Sequence, residues 1–178
     1  MRQLATVVVA AFALVGCTPI ADPPPPPPTL TVEPTPTGPV FTEGEQAVID
    51  AVHRYSARSE QIARDPVGSD WETIREVAWW PADDNAVRFF QVLYENGWHL
   101  EGESVFIPEA VVASRWDHQG QRYDVYGCLS VEGTSLVDSE GNRVGTQEFE
   151  RGAYRFEVIL TPDDQYFVTE DVSEKKEC

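Results

Sequence analysis

Four regimes of hydrophobic patterning follow one another along the 178 residues. Leu4 to Val15 is apolar apart from Thr6, and Arg2 is the only charge before it. The run is too short to cross a bilayer, which takes about 20 apolar residues. Its layout is that of a secretory signal: a basic start, an apolar stretch and a small residue, Gly16, before the cut. Residues 18–40 then lose all periodicity and are dominated by proline and threonine, with Pro23 to Pro28 consecutive. Proline holds the backbone near polyproline II at about 3.1 Å per residue, so this segment is expected to be a spacer reaching about 70 Å. A docking site for a proline-recognition domain, or a glycosylated stalk, is the alternative.

From Thr42 the apolar period becomes helical. Thr42 and Glu45 form a T-x-x-E capping box, and Val48, Ala51, Val52, Tyr55, Ser59 and Ile62 follow at helical spacing. A long amphipathic helix ending near Asp65-Pro66-Val67-Gly68 is predicted. Ser69 or Asp70 can cap a second, short helix carrying Trp71, Ile74 and Ala78, with Pro81 as its stop. A third helix fits Asp83 to Asn96, with Val87, Phe90, Leu93 and Tyr94 inward and Gly97 as its stop.

Beyond Trp98 the period is two. Strands are expected at Glu103 to Ile107, Ala110 to Trp116, Gln121 to Val131, Ser135 to Val137, Gly152 to Thr161 and Gln165 to Val172. Turns at 117–120, 139–142 and 162–164 favour antiparallel hairpins. Tyr123, Val125, Leu129 and Val131 share one face, as do Tyr154, Phe156, Val158 and Leu160, so the sheet has an apolar side for the helices. The predicted class is therefore α+β over residues 41–178, behind a signal at 1–16 and a tether at 17–40.

Leu14-Val15-Gly16-Cys17 resembles the lipobox of bacterial lipoproteins. The resemblance implies cleavage between Gly16 and Cys17, lipidation of Cys17, and attachment to the outer face of the cell membrane. Two or three acyl chains make a stable anchor where one binds reversibly. The alternative is an ordinary secretory signal, with Cys17 free or disulfide-bonded. If lipid occupies Cys17, Cys128 and Cys178 are left as a pair, and outside the cytoplasm a disulfide between them is expected; two free thiols are the competing reading. That link closes a loop of about 50 residues, worth about 4 kcal/mol on the chain-entropy model, and pins the tail.

Helices followed by a bent antiparallel sheet resemble the NTF2-like, or cystatin-like, α+β cone. The segments Tyr123-Asp124-Val125-Tyr126-Gly127-Cys128, 137–142 and 165–169 are also similar to stretches of lipoproteins from high-GC Gram-positive bacteria and their phages. Only Lys175 and Lys176 among the 13 bases are lysine, which agrees with a GC-rich source. In enzymes of the NTF2-like group the cone holds carboxylates or histidines for acid–base work. Here Asp124 and Glu157 are out of phase with the apolar faces and are expected to face solvent, so no catalytic set is assigned.

Charge narrows the partners. The net charge is −17, almost all of it after residue 40, and such a field repels phosphate backbones and anionic headgroups, so no nucleic acid is expected. His53, His99 and His118 are scattered with no ligand spacing, and neither a metal nor a cofactor is implied. The densest aromatic region holds Trp71, Trp79, Trp80 and Trp98. Adjacent Trp79 and Trp80 on a helix would point about 100° apart, so at least one is expected at a pocket mouth or surface. These four tryptophans are the candidate binding surface for an envelope protein or glycan; helix-to-sheet core is the alternative. The reading is a non-enzymatic, lipid-anchored binding module at the cell envelope, receptor-blocking if the gene is phage-borne. Its rival is a small-ligand-binding or acid–base enzyme of the NTF2-like group, which a buried acid inside the cone would favour.

Overall fold

A computed structural model describes residues 38–145 and 150–178. Gly16, Cys17 and the proline-rich tether up to residue 37 lie outside the described residues. The domain begins with helix α1, Glu43–Arg64. Its capping box is formed in both directions: Thr42 accepts from the Glu45 amide, and Glu45 accepts from the Thr42 amide at 2.7 Å. One stripe of α1, including Val48, Val52, Tyr55 and Ile62, is buried. Asp70 caps a short 3₁₀ helix, Trp71–Glu76, and helix α2 spans Ala82–Asn96. Gly97, at φ 67°, ends α2 in the left-handed conformation that a side chain disfavours. The buried stripe of α2 is Ala82, Ala86, Phe90 and Leu93. Tyr94, expected inward, is 53% exposed and instead meets the edge of Trp71.

Six strands follow: β1 (His99–Glu101), β2 (Val105–Asp117), β3 (Gly120–Ser130), β4 (Ser135–Val137), β5 (Arg151–Leu160) and β6 (Tyr166–Ser173). The main sheet runs β2-β3-β5-β6, antiparallel throughout, and β1 pairs with β4 in a separate ribbon. The molecule is thus α+β, with helices on a curved, unclosed antiparallel sheet, the layout of the NTF2-like cone. The two strands expected on either side of Pro108 are one. Proline cannot donate to a ladder, but β2 is an edge strand, and its register shifts past Pro108, so the chain continues. Opposite Pro108, Gly127 leaves room for the Phe106 ring; a Cβ there would stand 2.3 Å from the Ile107 carbonyl oxygen.

The core lies between the helices and the inner sheet face. Val125, Phe156, Val158 and Val168 meet Ile49, Val52, Ile74 and Phe90, and the Phe106 and Phe156 rings cross edge to face at 5.0 Å. Cys128 and Cys178 form a disulfide with their Cα atoms 5.9 Å apart. The tail it holds is also paired to β5, the Ala153 amide donating to the Lys176 carbonyl.

Candidate functional site

The helices do not fill the cone. A cavity of about 380 Å³ remains between α1, α2 and the inner sheet face, with Tyr55, Ser59, Phe89, Leu129, Tyr154 and Asp171 in its wall. Phe89 and Asn85 also line it and are exposed, which marks its mouth. Aromatic and aliphatic carbon makes most of the surface. Into it β6 delivers a carboxyl group: Asp171 stands opposite Phe156 in the ladder, and the Tyr55 hydroxyl of α1 donates to Asp171 Oδ2 at 3.0 Å.

Asp171 reaches the inner face through a β-bulge. Val158 pairs with Val168 and Glu157 with Glu170, so Thr169 is an extra residue with no partner across the ladder. Strict alternation from buried Val168 would put Glu170 inside and Asp171 outside. The inserted residue reverses that parity. Burial pushes the Asp171 carboxyl above the ordinary carboxylate range; the Tyr55 hydrogen bond pulls it back, and the charge of neighbouring Glu170 adds to the rise. Burial, with Asp171's negative charge behind it, also holds the Tyr55 hydroxyl protonated far above its usual range. A second carboxylate, Glu60, lines the cavity but is already committed. It accepts from the Ser104 amide at 3.0 Å and the Ser104 hydroxyl, and it pairs with Arg64 at 2.8 Å.

The outer sheet face has a different chemistry. Asp124 and Glu157, expected to face solvent, are only 18% and 13% exposed and are tied into ion pairs. Arg122 bonds Asp117 at 2.9 Å, Glu157 at 2.6 Å, Gln119 at 2.7 Å and Thr169 at 3.2 Å. Arg155 spans Asp124 at 2.8 Å and Glu170 at 2.5 Å. The members come from all four strands of the sheet, so a single strand's alternation cannot reveal the pairing. Burial works against the Arg122 charge, and its bonds to Asp117 and Glu157 outweigh that, holding the guanidinium firmly protonated.

The tryptophans separate into two groups. Trp79 and Trp80 are not helical: the Trp79 amide donates to Val168, pulling the connector against β6 as an extra bridge, and Pro81 opens α2 rather than stopping the 3₁₀ helix. Trp79 stacks on Phe167 at 4.9 Å, while Trp80 is 74% exposed. Both border a polar groove with Arg115, Gln119 and Glu170. Trp71 and Trp98 do not line it. Trp71 packs on the core and donates its indole N–H to the Pro66 carbonyl at 2.8 Å, and Trp98 packs from the far end of α2. Of the histidines, His53 lies edge-on to Phe106, His99 is on β1 and His118 is in the β2–β3 turn. No cluster of three metal-ligating side chains occurs among the described residues.

Neither a protein-family model nor a curated protein matches this chain. The resemblance is structural. The intermembrane space region of the chloroplast protein ARC6 superposes with a TM-score of 0.53 at 13% identity, over 76% of this chain and 98% of that one. Two Catenulispora acidiphila structures align at TM-scores of 0.42 and 0.40, with 13% and 12% identity. They cover 74% and 72% of this chain and 93% and 92% of theirs, and the second is in complex with S-DNPA. At such identities the likeness is one of fold alone.

Proposed function

We propose that this chain is a lipid-anchored, extracytoplasmic binding domain that acts without turnover. Lipid on Cys17 holds it at the outer face of the cell membrane, the proline-rich segment holds it off the surface, and the cone cavity takes a small, partly apolar envelope ligand. The carrying observation is the Asp171 carboxyl, hydrogen-bonded by Tyr55 in the wall of an otherwise largely apolar cavity that opens to solvent. Pockets with apolar walls and few convergent polar groups are the usual small-ligand sites. Support for the anchor is the Leu14-Val15-Gly16-Cys17 pattern, and the Cys128–Cys178 disulfide fits an oxidising compartment.

The test joins place and ligand. Wild type should fractionate with membranes, whereas Cys17→Ser should be released without the lipid mass; retention of the variant with unchanged mass overturns the anchor. Native mass spectrometry of protein released from its own envelope should show a bound small molecule that the cavity-filling Ser59→Trp lacks. A ligand that persists in Ser59→Trp overturns the cavity as its site. If the ligand is converted while bound, the acid–base alternative, with Asp171 as proton acceptor, replaces the binding reading.

A second reading keeps the interaction surface but reduces it to two tryptophans. Exposed Trp80 stands beside a groove whose floor is held by the Arg122 ion pairs, a suitable plate for an envelope protein or glycan. Crosslinking in the native envelope should then recover a partner with wild type and lose it with Trp80→Ala, whose melting is expected within about 0.5 kcal/mol of wild type.

A further inference from the structure

We infer that the cone cavity selects a small organic cation, an amine or quaternary ammonium group on an apolar body, with Asp171 as counter-ion. The inference rests on the cavity being the ligand site and names the chemistry of what enters it. Among the described residues lining the cavity there is no arginine, lysine or histidine. The chain does not lack arginines to place near acids. Asp117, Asp124, Glu157 and Glu170 on the outer face each contact one within 3 Å, and Glu60 at the cavity wall has Arg64. Asp171, set in the cavity wall among aromatic rings, has only the Tyr55 hydroxyl as a side-chain partner among the described residues.

A buried carboxylate is costly unless a cation and hydrogen bonds compensate it. An anionic ligand would add repulsion, and a neutral one would leave the ionised carboxylate uncompensated. The surrounding rings point to the same ligand class. Tyr55, Phe89, Phe90, Tyr154 and Phe156 all line the cavity, and aromatic faces attract cations, most strongly where water is excluded. A volume of about 380 Å³ lies at the low end of small-molecule pockets, which run from about 300 to 1,000 Å³.

The groups around Asp171 keep the pH response simple. From α1 come Tyr55 and the Arg64-paired Glu60, and from β5 Tyr154; Glu170, next to it on β6, lies on the outer face and is paired with Arg155. Burial raises the Tyr154 hydroxyl, as it does that of Tyr55, so neither phenol ionises near neutrality. Cation affinity should therefore rise with pH as Asp171 ionises and then level off.

The probes are choline and its uncharged carbon isostere 3,3-dimethylbutan-1-ol, titrated calorimetrically into the full domain at about 0.15 M salt, where surface attraction is screened beyond about 8 Å. Choline should bind wild type at least tenfold tighter than the isostere. Asp171→Asn, which can still accept from Tyr55, should lose about tenfold for choline and nothing for the isostere. Ser59→Trp should lose both. Equal binding of the two probes to wild type overturns the cation inference while leaving the cavity as a ligand site. Choline binding that survives in Ser59→Trp places the cation elsewhere on this acidic surface, and absence of choline binding to wild type also overturns the inference. Melting curves that match wild type keep both variants interpretable.

Discussion

The two faces of the β2-β3-β5-β6 sheet treat charge in opposite ways. On the outer face, Arg122 and Arg155 stitch all four strands together through Asp117, Asp124, Glu157 and Glu170, so each partly buried acid there has a guanidinium. On the inner face, Asp171 sits among aromatic rings with a phenol for its partner. A network that is already satisfied can fix strand register but has little left to offer a ligand. A carboxyl left without a counter-ion in an open cavity has its capacity in reserve. The lesson is to locate function where compensation is missing, rather than where charges are most numerous.

If the comparison is right, damage to the two faces should separate. The largest loss belongs to the inner core. Phe90→Ala removes a ring with no exposure at the helix–sheet junction and should cost about 3–5 kcal/mol in chemical denaturation. Next comes the outer face: Arg122→Met takes the nearer guanidinium from Glu157 and Asp117 and should cost about 3 kcal/mol, the low end for a buried pair because Arg115 remains at 3.3 Å and 3.9 Å and both acids retain some solvent. That variant should nevertheless keep the cavity's choline affinity within twofold. A tenfold fall would mean that the faces are coupled through the sheet, and the division drawn here would fail.

Much of this arrangement could be read from local sequence, because local chemistry sets it. The Thr42–Glu45 box and Gly97 place helix ends by hydrogen bonding and backbone conformation, and the apolar alternation of residues 123–131 and 152–160 identifies the inner face. What escaped depends on neighbours distant in the chain. Pro108 looked like a strand break because its edge position was not visible. Trp79 and Trp80 looked helical because the bridge from Ala78 to Val168 lies 90 residues away in sequence. Alternation does set Asp124 and Glu157 off the core face, but their environment is an ion-pair network rather than solvent, since their arginines come from other strands. Asp171 was missed for the most specific reason: a single inserted residue, Thr169, turns the parity of β6, and nothing in Val168-Thr169-Glu170-Asp171 announces a bulge.

The smallest expected effect is also the one that bears most directly on the inner face. Because burial raises the Asp171 carboxyl above its unfolded value of about 3.9, the folded state binds this proton more tightly than the unfolded chain does. The associated stability is fully present below the unfolded value and is lost as pH rises through the folded one. Asp171→Asn cannot ionise and keeps an acceptor for Tyr55, so it should melt slightly higher than wild type at neutral pH, and the difference should shrink as the pH falls through the raised folded value and be gone below about 4. Saturating choline should reverse the order at neutral pH, since only the ionised wild type gains a counter-ion. If Asp171→Asn is instead less stable at every pH, the carboxylate is a structural partner of Tyr55 like those on the outer face, and the contrast between the two faces disappears.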